Sequence, residues 1–133
     1  MDKRDFRVGK LKPLASARSA GKMVNFRGQT VVIEELNERS FDGVDIALFS
    51  AGGSISRKFA PIAVKAGAVV VDNSSAFRMD PNVPLVIPEI NARRIREHKG
   101  IIANPNCAAI TALVPLWPIH QKNRIKRVII ATY

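Results

Sequence analysis

Short apolar runs alternate with longer stretches of helical spacing along this chain. Leu11 to Ala15, Gln29 to Glu34 and Val44 to Ser50 predict strands, the last nearly continuous in apolar character apart from Asp45 and so expected to be buried on both faces. Ser54 to Ala66 predicts a helix, with Ile55, Phe59, Ile62 and Ala63 on one side and Ser54 as its N-cap. Val69-Val70-Val71 predicts the next strand. Pro84 to Ile90, apolar between prolines, predicts a short extended piece at an edge or in a loop. Asn91 to His98 predicts a short polar-faced helix, and Gly100 to Ala103 another buried strand. Cys107 to Gln121 is helical in character, with Pro115 and Pro118 expected to kink or shorten it. Lys126 to Tyr133 predicts a last strand.

Strands alternating with helices predict an α/β fold with a parallel sheet and crossover helices, in which ligands gather at the carboxyl ends of the strands. Three turn-rich segments follow strands here: Ser50 to Ser54, Asp72 to Arg78, and the turn before Cys107. All three could line one crevice. The chain's 133 residues and 47% hydrophobic content suit one compact domain, and no repeat or interdomain linker divides it.

Composition then narrows the classes. With one cysteine there is no internal disulfide and no multi-cysteine metal site, and no metal is expected. The charged start Met1-Asp2-Lys3-Arg4-Asp5 leads into no apolar signal core, and no apolar run approaches a membrane span, so a cytoplasmic protein without membrane contact is expected. A formal charge of +10 draws the chain toward anions. The basic residues fall in small groups, such as Arg93-Arg94-Arg96, without interleaved aromatics, which disfavours nucleic acid. A phosphate-handling pocket explains part of the charge equally well.

Cys107 sits in Asn104-Pro105-Asn106-Cys107, between an apolar run and a helical one, which places its side chain in the first turn of a helix. Unpaired N–H groups and the dipole there favour negative charge on sulfur, and could hold an oxyanion formed when sulfur attacks a carbonyl. A small packed residue at an element boundary is the plainer alternative. Gly52 and Gly53 would let backbone approach a ligand, or simply make a strand-to-helix loop. Arg18 beside Ser19 could grip a phosphate dianion, or lie in an exposed basic turn. Arg78 is either an anion clamp or a surface residue paired with Asp80.

Taken together, SARSAGK (16–22), FDGVDIALFSAGG (41–53), VVDNSSAFRMDP (70–81), VPLVIPEI (83–90) and GIIANPNC (100–107) resemble aspartate-semialdehyde dehydrogenase in order and spacing over nearly the whole chain. The resemblance implies a Rossmann-like, doubly wound sheet and an NADP-dependent enzyme. Such an enzyme interconverts aspartyl phosphate and aspartate semialdehyde on the way to lysine, threonine and methionine. It implies Cys107 as the nucleophile that displaces phosphate and forms a thioester. Arg78 and Asn106 would hold the substrate phosphate. Arg18 and Ser19 would take the cofactor's 2′-phosphate, and Ser50, Ala51, Gly52 and Asn73 would border the cofactor.

Compared with that family, the chain reads as truncated. The first strand and its Gly-rich loop are missing, so an incomplete sheet is expected. The histidine acid/base and the dimer surface of the homo-oligomeric relatives lie beyond Tyr133, and neither His98 nor His120 matches that histidine, each being expected at the surface. Residues 1–133 are thus expected to form a partial NAD(P)-binding domain, with the cysteine segment at 104–121 and the next domain's first strand at 126–133. The isolated chain is expected to be inactive. The alternative is a noncatalytic fragment that associates with a complementary chain.

Overall fold

The computed structural model describes residues 6–131, and the chain falls into two compact units, Met1–Ser40 and Phe41–Tyr133. One unit was expected. The described strands form three separate ladders, two in the first unit and one in the second.

In the first unit, β1 (Leu14–Ala15) runs parallel to β4 (Glu34–Glu35), with Leu14 opposite Glu34. Between them lies an antiparallel hairpin of β2 (Met23–Phe26) and β3 (Gln29–Val32). Its two turn residues, Arg27 and Gly28, have φ of 51° and 77°, the left-handed pair that matches the twist of a tight hairpin. The side chain of Asn25 steadies the turn by accepting from Gly28 N at 3.1 Å. The pattern of apolar residues missed β2, because Met23 to Phe26 has only half-buried Val24 and Phe26 on its inner side. The predicted strand over 11–15 contracts to two residues, and that over 29–34 breaks at Ile33.

In the second unit, β5 (Ile46–Phe49), β6 (Val69–Asp72) and β7 (Ile101–Ala103) form a parallel sheet in that order. Phe49, Asp72 and Ala103 lie in register at its carboxyl end. Helix α1 (Gly53–Lys65) crosses from β5 to β6 and covers one face. Phe59 on this helix joins Phe41 and Phe49 in an aromatic cluster with ring centroids 5.8 and 6.4 Å apart, while Ala60, Ala63 and Val70 are fully buried. The expectation that β5 is buried on both faces is corrected. Ala47 and Phe49 are buried, but Ile46 and Leu48 are 51% and 57% exposed, since α1 packs only on the face that Phe49 shares.

Helix α1 starts after Gly52, whose φ of 90° turns the chain out of the strand, so Ser54 lies inside the helix and does not cap it. The predicted helix over 91–98 is two short pieces, α2 (Pro88–Asn91) and a 3₁₀ turn at Ala92–Glu97. Of the extended piece expected over 84–90, residues 84–87 lie along β7, with Val86 N donating to Ala103 O at 3.0 Å, while Pro88 to Ile90 are taken into α2. Helix α3 (Cys107–Lys122) runs through Pro115 and Pro118 without being shortened. The expected last strand is also corrected: residues 126–131 belong to no regular element, since no neighbouring strand among the described residues takes up their backbone groups, and Thr132 and Tyr133 lie outside those residues. No helix among the described residues is long and apolar enough to cross a membrane.

Candidate functional site

Each strand of the three-stranded sheet ends in a loop that carries polar groups, and hydrogen bonds join these loops. Asn73 N donates to Phe49 O at 2.9 Å, and Asn104 N donates to Asp72 O at 2.8 Å, extending the ladder past the ends of β6 and β7. Beyond it, Asn104 Nδ2 donates to Asn73 Oδ1 at 2.7 Å. Arg78 folds back over this pair. Its Nε donates to Asn104 O at 2.9 Å and its Nη2 to Asn73 O at 3.0 Å. Two backbone carbonyls therefore hold one edge of the guanidinium, and among the described residues nothing takes up Nη1.

The alternative ion pair with Asp80 does not form, because Asp80 Oδ1 instead accepts from Asn82 N at 2.9 Å. Arg78 is half-buried, and its charge faces no carboxylate partner among the described residues. A held, incompletely bonded guanidinium of this kind suits an anion, since its fork matches phosphate oxygens.

The turn that holds Asn104 leads within three residues to the cysteine. Asn106 is the N-cap of α3, and its side chain accepts from Ala108 N at 2.9 Å, as a capping amide does. Its Nδ2 makes no bond among the described residues and remains a donor. Cys107 is the first residue of the helix and is exposed, so the alternative of a packed boundary residue fails. Ser50, Ala51 and Gly52, also exposed, form the loop after β5. That loop meets the loop after β6 through α1, where Arg57 Nη1 approaches Ala76 O at 3.5 Å and a Cβ on Gly53 would lie 3.7 Å from Ser75 Oγ.

Arg18 and Ser19 belong to the first unit, in a turn closed by Ser19 N donating to Ser16 O at 2.8 Å. Arg18 is exposed and its side chain bonds to nothing among the described residues. His98 and His120, expected at the surface, are half-buried and each accepts a backbone N–H on Nδ1, from Gly100 and Ile125 respectively. Neither is aimed at the cysteine turn by a hydrogen bond. No group of three or more metal-ligating side chains occurs among the described residues.

Sequence reasoning overlooked Asn104, Asp72, Ser56 and Ser74. Asp72 is fully buried, yet Ser56 Oγ and Ser74 Oγ each donate to it at 2.7 Å and Ser74 N at 3.0 Å. A carboxylate closing an all-valine strand was the available signal. A groove of about 550 Å³ also runs between α3 and residues 85–91, with Leu113, Trp117 and Ile87 among its walls, but no predicted site residue lines it.

A parallel sheet with crossover helices and polar loops gathered at the carboxyl ends of its strands defines a nucleotide-binding α/β domain. Residues 1–98 match the family model described as the semialdehyde dehydrogenase NAD-binding domain, and the chain belongs to that family. Similar curated proteins are the aspartate-semialdehyde dehydrogenases of Bacillus subtilis, 52% identical, and Aquifex aeolicus, 53% identical, both matched over 100% of this chain. The chain spans only 38% and 40% of their lengths. Among solved structures, aspartate semialdehyde dehydrogenase II of Vibrio cholerae complexed with ASA superimposes with a TM-score of 0.86 at 51% identity, covering 90% of this chain and 40% of that one.

Proposed function

We propose that this chain carries the cysteine half of an aspartate-semialdehyde dehydrogenase site that uses NADP. The observation that supports it most is the Arg78 guanidinium held by Asn73 O and Asn104 O at the head of the turn that delivers exposed Cys107. The sulfur of Cys107 attacks the acyl carbon of aspartyl phosphate, a C–S bond forms, and the C–O bond to phosphate breaks. Arg78 and the free Nδ2 of Asn106 hold the departing phosphate. First-turn N–H groups of α3 hold the oxyanion that forms on the way. When bound, the reduced nicotinamide cofactor would supply the hydride that reduces the thioester; the Cys107 sulfur would then leave as thiolate and take up a proton as aspartate semialdehyde is released.

The residues present fit that cofactor in part. Gly52 has open space where a Cβ would be, and the first turn of α1 has no side-chain cap, so its N–H groups can meet an anion. Ser50, Ala51, Gly52 and Asn73 would border the cofactor, and Arg18 with Ser19 would take its 2′-phosphate. No histidine of the described residues is offered as acid or base, because neither is hydrogen-bonded to the cysteine turn. The 133-residue chain by itself is accordingly expected to give no turnover. Formation of NADPH from aspartate semialdehyde, phosphate and NADP above a Cys107→Ala control would overturn that expectation.

The test of the site is alkylation of Cys107 with iodoacetamide, followed by mass spectrometry. Inorganic phosphate should slow labelling several-fold, and Arg78→Ala should abolish the protection. Labelling no faster than free cysteine and indifferent to phosphate would sink the reading. The apolar side chains left exposed, among them Ile46, Leu48 and Ile129 at 86%, favour a second reading, a noncatalytic piece that joins a complementary chain. A single monomeric species in sedimentation, unchanged by adding a chain that carries the rest of a homologous enzyme, would count against it.

A further inference from the structure

Asp72 is a buried carboxyl group that the proposed chemistry does not touch, and its three donors come from two places: Ser56 on α1, and the side chain and N–H of Ser74 just past the strand. Ser74 Oγ in turn accepts from Ala76 N at 3.1 Å. Residues 72 to 76 are thereby wound into consecutive turns around one carboxyl group. Asn73 lies between the two gripped residues, so the direction of its carbonyl follows from that winding. It is this carbonyl, with Asn104 O, that holds Arg78. The Asp72 backbone carbonyl meanwhile accepts from the N–H of Asn104, the residue that supplies the second carbonyl partner of the guanidinium.

We propose that Asp72 is a positioning residue for the anion clamp: through Ser74 and Ser56 it sets the orientation of the 73–78 loop and hence of Arg78. The inference rests on the reading of Arg78 as the phosphate ligand. Burial of a carboxyl group with no cationic partner among the described residues is costly unless its oxygens are bonded, so the loop must stay wound for the core to stay closed. The clamp is coupled to the core in this way rather than left to a mobile surface loop.

The test uses the full chain, labelled with ¹⁵N, as wild type, Asp72→Asn and Ser74→Ala. Asp72→Asn keeps the volume but replaces one acceptor oxygen with a donor. Ser74→Ala leaves the carboxyl group intact and removes only the hydroxyl that relays it to Ala76. Exchange of the Arg78 Nε–H with solvent is read by NMR, with the backbone N–H groups of Ala47 and Val70, which face β6 and β7, as the control for an intact sheet. In both variants the Arg78 signal should exchange at least tenfold faster while the control groups stay as in wild type. Exchange within twofold of wild type in Ser74→Ala, the milder change, would overturn the proposal, as would equal acceleration of the control groups. If Asp72→Asn does not fold, Ser74→Ala decides alone. Addition of inorganic phosphate separates the two ideas: no shift of the Arg78 signal in wild type removes the phosphate reading, whereas the exchange comparison still judges Asp72.

Discussion

The carboxyl end of the three-stranded sheet and helix α3 meet at Cys107, yet they satisfy their chemistry in opposite ways. At the sheet end, a fully buried carboxyl group is bonded to two serines, and two asparagines and an arginine are bonded to one another and to loop backbone. Helix α3 has 16 residues, carries Ala, Ile, Leu, Val and Trp around much of its circumference, and buries none of them. A helix apolar all round normally lies inside a larger body. The polar site is therefore closed by bonds among the strand-end loops and α1, while the helix that presents the nucleophile keeps apolar surface uncommitted. Unpairing a group should be severe in the first region and nearly silent in the second.

The largest effects are expected where the sheet end rests on α1. Phe59→Ala removes the ring that joins Phe41 to the helix, and truncation of a buried phenylalanine costs about 3–5 kcal/mol. Urea unfolding of the variant should show a much lower midpoint; a midpoint near that of wild type would mean that the aromatic cluster is not the keystone of this unit. Asp72→Ala comes next. It leaves two buried hydroxyl groups without their acceptor, at a cost of roughly 2–4 kcal/mol for unsatisfied buried donors. Thermal unfolding would reveal it, and stability equal to wild type would show that the serines find other partners.

Gly100 sharpens the comparison at the opposite end of β7. Its φ is 106°, and a Cβ there would collide with the Val64 side chain near the end of α1. Gly100→Ala adds backbone strain to overpacking, which together cost about 2–3 kcal/mol. Pairing it with Val64→Ala should recover the packing part but not the strain, so a double variant as stable as wild type would show that only sterics mattered.

How far the sequence disclosed this architecture follows from the range of each interaction. Asn-Pro-Asn before Cys107 pointed to a helix start, and the structure puts Asn106 at the N-cap and Cys107 at the first helical residue, since capping is decided within three residues. The three strand-end loops were likewise legible from turn residues. The bond from Ser56 to Asp72 was not, because it spans 16 residues and depends on how α1 settles on the sheet. Exposure of Ile46 and Leu48 and the missing strand over 126–131 share another cause. Periodicity reports what an apolar side chain or an extended backbone prefers, not whether anything lies beside it to meet that preference. The split of 91–98 into an α turn and a 3₁₀ turn reflects a segment with no buried residue to hold one regular helix.

The smallest expected effect tests the other half of the contrast. Ile119 on α3 is 53% exposed and its backbone carbonyl, not its side chain, accepts from Asn123 N. Ile119→Gln keeps the main-chain bond and replaces a β-branched residue with a better helix former, so stability should change by less than about 0.5 kcal/mol. The same change removes apolar surface from water contact and should raise the concentration at which the chain begins to aggregate. A loss comparable to that of Phe59→Ala would mean that α3 is committed to the core after all. Unchanged stability with better solubility would place the uncommitted apolar surface on α3, next to a site whose buried polar groups are already bonded.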